Sequence, residues 1–214
     1  MKIKKVHGVG INDMPNYLKT NLKLYSRWGA MFRRAYSPEL HQKHTSYIGV
    51  TVCKEWHTLS NFVAWAEAQG WEGKELDKDI LCPGNKIYSP ETCVFVSHEL
   101  NNLLCGSDAI RGDCPKGVYY HYNHKRYCTE MYAYGKKRIL GYYLTIPEAH
   151  RTYCEAKSVH IREVAENLTD ADTTDIERTR VGLLEHADIE ERQWEEAQGE
   201  SVPTLWGEKS PERG

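Results

Sequence analysis

The sequence predicts an α+β fold in two modules, and three observations carry that prediction. Residues 21–36 hold an apolar stripe at helical spacing, with Leu24, Trp28, Met31, Phe32 and Ala35 three or four apart. Residues 117–143 hold three short alternating runs, separated by Asn123-His124-Lys125 and Tyr134-Gly135-Lys136. The segment after them opens on Thr145-Ile146-Pro147-Glu148, a helix capping box. A chain of 214 residues suffices for one large domain or two small ones.

Taken in order, residues 1–19 read as irregular, with Gly8, Gly10 and Pro15 as breakers. The helix over 21–36 stops at Ser37-Pro38. Arg27, Arg33 and Arg34 flank it, either as a solvated basic face or as phosphate contacts. A polar loop (39–46) and a short strand (48–52) follow. Thr58 or Ser60 caps a second helix, which Gly70 ends. Trp56, Phe62, Trp65 and Trp71 are expected in the core. Residues 76–104 then read as an acidic strand, a Gly/Pro/Asn loop, a second strand and a helix. These elements form a module over 20–105, and a polar connector spans 106–116. The three strands and their helix form a second module over 117–160, in which Tyr120, Tyr127, Met131 and Leu140 face the helix. Residues 161–214 read as an acidic, partly disordered tail, with an exposed helix over 176–197 and disorder beyond Gly199.

Charge is unevenly placed. Residues 163–214 carry 15 acidic and 5 basic side chains, so the rest of the chain is net +8 although the whole is −2. A basic body with an acidic end suits either a polyanion-binding protein or an ordinary domain with a charged terminus. The seven cysteines include no pair at C-x-x-C spacing, so no zinc is expected, and they read as reduced thiols. The start lacks the apolar run of a signal peptide, and no segment approaches the ~20 apolar residues of a membrane helix. These readings point to a cytoplasmic protein without membrane partners.

The acidic strand concentrates the chemistry. Asp77 and Asp79, two apart, would share one face of a strand and both reach a hard cation. Lys78 lies between them. Flanking carboxylates favour its ammonium form, which is a poor general base but can hold a phosphate. Alternatively Asp77, Lys78 and Asp79 are a solvated strand end.

With Asn85-Lys86-Ile87-Tyr88-Ser89-Pro90-Glu91-Thr92-Cys93 following, residues 76–97 resemble the HNH endonuclease motif, the ββα-metal fold of phage homing endonucleases. The likeness extends over about 20–105 through Tyr25, Trp28, Arg34, Tyr47, Val52 to Trp56, and Asn61-Phe62. The resemblance implies a Mg²⁺ (or Mn²⁺) ion held by Asp77, Asp79 and Glu91, with Asp77 as the acidic ligand. Lys78 stands where the family has its general-base His, and Asn85 takes the loop Asn position. Segment 89–93 takes the helix start, with Thr92 where a second Asn ligand belongs. In this reading Lys78 holds phosphate, Asn85 fixes the loop or orients water, and a metal-bound water or His98 supplies the base.

Residues 111–157 resemble the plant ethylene-response-factor (APETALA-type) DNA-binding domain. The matching residues are Arg111, Gly117-Val118, Tyr127 to Met131, Leu140-Gly141-Tyr142, Thr145, Glu148-Ala149 and Tyr153. The likeness implies a three-stranded sheet whose outer face meets double-stranded DNA through Tyr119, His121, Glu130, Tyr132, Lys137 and Ile139. Lys125 and Arg126 grip phosphate from a turn. Tyr119, His121 and Tyr132 stand where that family uses Arg, which weakens bidentate guanine readout. Together the two likenesses imply a phage-encoded, metal-dependent DNA endonuclease or nickase of homing type, working in the host cytoplasm. The alternative is an HNH frame that binds DNA without cutting, as a regulator or blocker.

Overall fold

Asn21 starts the first helix by accepting the Leu24 amide on its side chain, and Ser37 ends it in extended backbone before Pro38. Between them α1 (Leu22–Tyr36) buries the expected stripe of Leu24, Trp28, Met31, Phe32 and Ala35. The computed structural model describes residues 5–17, 21–104 and 114–199, with the backbone alone for 194–199. The expectations for most of the connector, for Arg111 and for disorder beyond Gly199 lie outside these residues.

The chain is mixed α+β and divides into two compact units: Met1–Leu104 with Ala165–Leu183, and Cys105–Val164 with Leu184–Gly214. In the first, α1 packs with α3 (Leu59–Gln69) around Trp28, Phe32, Trp56, Leu59, Phe62 and Phe95. Trp56, Phe62 and Trp71 are buried as expected, and Trp65 packs against them. The Trp28 indole N–H is satisfied by Trp56 O at 2.8 Å, so the large ring is buried without an orphaned donor. Thr58 occupies the N-cap of α3 without a capping bond. Asp13 instead accepts the Ser60 amide at 3.0 Å, so a residue read as irregular caps a helix 47 positions away.

After α1 come the short α2 (Pro38–Lys43) and β1 (Thr51–Val52); β2 (Glu75–Asp77), β3 (Ile87–Tyr88) and β4 (Val94–Val96) follow α3. Strands β1 and β3 pair in parallel, and β2 and β4 pair antiparallel with Glu75 opposite Val96 and Asp77 opposite Val94. Helix α4 (His98–Leu104) leaves directly from β4. Segment 89–93, expected to open the helix, is a turn in which the Thr92 and Cys93 amides return to Ser89 O. The helix comes only after β4.

The stretch after residue 160 is not a single acidic tail. Its first part lies in the long helix α5 (Ile146–Glu166). Residues 165–183 belong to the first unit, where Leu168, Thr173, Thr179 and Leu183 are buried. Segment 172–174 bonds β4 and the residue after it: the Ser97 amide donates to Asp172 O at 2.7 Å and the Thr174 amide to Phe95 O at 3.0 Å. Helix α6 (Ile176–Gly199) then crosses the loop after β2 at Gly182, where any Cβ would lie 2.1 Å from Ile80 O.

The second unit is a three-stranded antiparallel sheet, β5 (Val118–His121), β6 (Arg126–Ala133) and β7 (Lys136–Tyr143), packed on α5. Tyr134 and Gly135, both with positive φ, close the β6–β7 hairpin in the two-residue turn that suits strand twist. One sheet face meets the helix through Met131 and Ala133 against Tyr153 and Cys154, with Leu140 at the margin. Thr129 Oγ1 donates to Ala149 O at 2.8 Å. Gly117 (φ +79°) lies under Tyr153, whose ring would be 1.9 Å from an added Cβ. The capping box closes: the Glu148 amide donates to Thr145 Oγ1, and Glu148 accepts the Thr145 amide. Residues of α6 clamp α5 through Arg162, which donates to Asp188 at 2.6 Å and Glu191 at 2.9 Å, and through Ser158 to Glu191.

Candidate functional site

Strand β2 ends at Asp77 because its carboxylate turns the chain. Oδ1 accepts the amides of Asp79 and Ile80, each at 2.7 Å, an Asx-type turn. Burial raises the Asp77 pKa, against the opposing pull of those two amides. Lys78 is 7% exposed. Its ammonium pairs with Asp79, donates to Asn85 O at 2.8 Å, and lies 6.0 Å from the Tyr88 ring centre. Asn85 fixes the loop as expected. Its amide donates to Lys78 O and Ile87 O at 2.8 and 2.7 Å, and its Oδ1 accepts the Ile87 amide at 3.0 Å. Thr92 Oγ1 closes the far side on Ile87 O at 2.6 Å.

Glu91 stands apart on the exposed turn, where a hydrogen bond from Ser89 holds its carboxyl below the usual range. Among the described residues no group of three His, Cys, Asp or Glu side chains lies close enough to hold a metal ion, so Asp77, Asp79 and Glu91 are not brought together as ligands. The loop does not fit Mg²⁺. One carboxylate is engaged by backbone amides, and a protein ammonium stands against the other.

Arg27 and Arg34 are neither a solvated basic face nor open phosphate contacts. Arg27 donates to Lys74 O and lies over the Trp71 ring; Arg34 reaches the Tyr88 hydroxyl at 3.3 Å. Arg33 is exposed.

A second polar group lies between β2 and α4. The Glu75 carboxylate accepts from His98 Nδ1 at 2.7 Å and from Asn101 Nδ2 at 2.6 Å, while Asn102 Nδ2 meets His98 Nε2 at 2.8 Å. The Glu75 hydrogen bond raises the His98 pKa. Sequence reading missed Glu75 altogether. The pairing of Glu75 with Val96 delivers it to the start of α4, and that register was the signal.

The third candidate is the sheet face turned away from α5. Registers place Cys128 opposite Tyr119 on one side and Tyr142 on the other, His121 opposite Arg126, Glu130 opposite Ile139, and Tyr132 opposite Lys137. All the expected outer-face residues therefore share one surface. Lys125, Arg126, Tyr132, Lys137 and Ile139 are exposed; Tyr119, His121 and Glu130 are half-buried. Glu130 and Lys137 pair at 2.5 Å. His121, His124 and Tyr142 group their rings 4.4–5.5 Å apart at one end, beside Lys125 and Arg126. Tyr142, absent from the expected set, joins the face because it pairs with Cys128. Residues 117–143 carry eight of the chain's 14 tyrosines, with five basic side chains against one acidic.

Comparison with known proteins finds no family model, curated protein or solved structure that matches this chain. Among the described residues no helix is long and apolar enough to cross a membrane.

Proposed function

We propose that this protein binds duplex DNA through the open face of its three-stranded sheet and does not hydrolyse it at the Asp77 loop. The carrying observation is that face itself, a twisted ribbon with one side on a helix and the other open. The open side is rich in Tyr and His and carries a net positive charge. Such a ribbon fits a major groove, cations meet phosphates, and exposed rings stack on sugars and bases. Few Arg side chains face outward, so backbone contact outweighs base readout. The likeness of this unit to the ethylene-response-factor domain agrees with the reading.

The absence of cutting at the loop rests on Lys78. An HNH centre needs its acidic strand end free to take a cation and its neighbour free to take a proton. Here Asp77 caps a turn, and Lys78 is held by Asp79 and Asn85 O. The nuclease-like frame serves as scaffold.

Supercoiled plasmid, incubated with the protein and Mg²⁺ or Mn²⁺ beside the Asp77→Ala and Lys78→Ala variants, tests both parts. The expected result is retardation without nicking. Metal-dependent nicking that disappears in Asp77→Ala would establish the endonuclease instead. No retardation at low ionic strength would remove DNA as the partner.

A further inference from the structure

We infer that Glu75, His98 and Asn101 form a binding site for a first-row divalent transition-metal cation such as Mn²⁺, Co²⁺, Ni²⁺ or Zn²⁺. This inference does not depend on the DNA reading.

Both carboxylate oxygens of Glu75 are met within hydrogen-bond distance, one by an imidazole nitrogen at 2.7 Å and the other by a carboxamide at 2.6 Å. The three side chains come from two elements locked together by the β2–β4 ladder and the helix that leaves it. A cation between them would replace the His98–Glu75 contact with bonds of about 2.0–2.2 Å to nitrogen and oxygen. Turned over, the Asn101 carboxamide presents its oxygen, since its O and N occupy equivalent positions.

Asn102 supplies the outer support. Metal-bound imidazoles hold their second nitrogen in a hydrogen bond that fixes ring and tautomer. With the ion on Nδ1, His98 Nε2 carries the proton and donates to the Asn102 oxygen after the same amide rotation. The existing 2.8 Å contact is that bond with donor and acceptor exchanged.

The donor set selects the ion. One carboxylate, one imidazole and one amide oxygen suit first-row divalent ions from Mn²⁺ to Zn²⁺, more tightly toward the later ones, whereas Mg²⁺ and Ca²⁺ prefer oxygen alone. The His98 side chain is 68% exposed and Glu75 40%, so the outer coordination positions face solvent and would hold water. The ion would clip β2 to α4.

The test uses the full chain titrated with Mn²⁺, the free aqueous ion being followed by electron paramagnetic resonance; Co²⁺ absorption reports nitrogen ligation. Saturable binding of a single ion is expected. Glu75→Gln and His98→Ala should each weaken it at least ~10-fold, and Asn102→Ala about as much through loss of orientation. Asn101→Asp, adding a charged ligand, should tighten it. Glu99→Gln, which removes only a neighbouring charge from the field at His98, should weaken it far less than the ligand changes do. Metal-free unfolding curves establish that each variant folds, and the Asn101→Asp arm decides if the others do not. Absence of saturable binding, or Mn²⁺ affinity indifferent to Glu75, His98 and Asn101, overturns the site.

Discussion

The loop after β2 and the open face of the sheet are both dense in polar side chains, and they use them in opposite ways. In the loop, Asp77, Lys78, Asn85 and Thr92 turn inward and bond the chain's own amides and carbonyls. On the sheet, Lys125, Arg126 and Tyr132 stand in solvent, and the core lies on the opposite side. A motif rich in chemically active residue types can thus be a folding device, while a plainer run of tyrosines and lysines offers the surface a partner can reach.

The contrast can be broken most severely at Gly117. Alanine there meets both a positive φ and the Tyr153 ring, and should cost the second unit about 3 kcal/mol. Thermal unfolding would show this, and DNA retardation should fail with it. An unshifted Tm would mean that the sheet does not depend on this close approach.

Lys78→Ala comes next. It leaves Asn85 O and Asp79 without the ammonium and should cost about 2 kcal/mol, Asp79 being half-exposed and partly rescued by water. DNA affinity of the folded fraction should not change. A large loss of affinity at unchanged stability would put Lys78 on the nucleic acid after all.

Replacing Lys125, Arg126 and Lys137 together by Gln should weaken DNA binding about tenfold or more and flatten the salt dependence by roughly one unit per lost phosphate contact. Denaturant midpoints should stay close to wild type. An unaltered salt slope would place the DNA elsewhere.

The smallest effect is expected at Asp77→Asn. The amide keeps the oxygen that accepts the Asp79 and Ile80 amides, so the turn survives. The fold raises the Asp77 pKa above its ordinary value of 3.8, chiefly by burial. Its contribution to stability is therefore complete below that value and declines as pH rises through the folded value. Asn has no such dependence. Urea unfolding near pH 4 and near pH 7 should show the variant gaining on wild type at the higher pH. The reverse trend would mean that the carboxylate is held as an anion.

Much of the fold was legible because local rules sufficed. The apolar stripe of α1, the Tyr134-Gly135 turn and the Thr145–Glu148 box each set their element from within a few residues. Alternation placed Tyr119, His121, Glu130, Tyr132 and Lys137 on one face correctly. The acidic trio failed for a definite reason. Spacing of two puts side chains together only while a strand continues, and Asp77 itself ends the strand by capping the turn. Residues 165–183 read as tail because their docking leaves little apolar signal. Much of it is made by backbone bonds and by the buried Thr173–Thr179 hydroxyl pair, 2.7 Å apart. Glu75 and His98 are 23 positions apart and meet only through strand register.

The bonding of segment 172–174 to Phe95 and Ser97 bears on how this polypeptide can be shortened. A version ending near residue 164, chosen to discard an acidic appendage, would strip the partner from the outer side of β4. Bare amides and carbonyls on a strand made of Val94, Phe95 and Val96 invite pairing between molecules. Self-association, rather than a trimmed and well-behaved fragment, is the expected product of that cut.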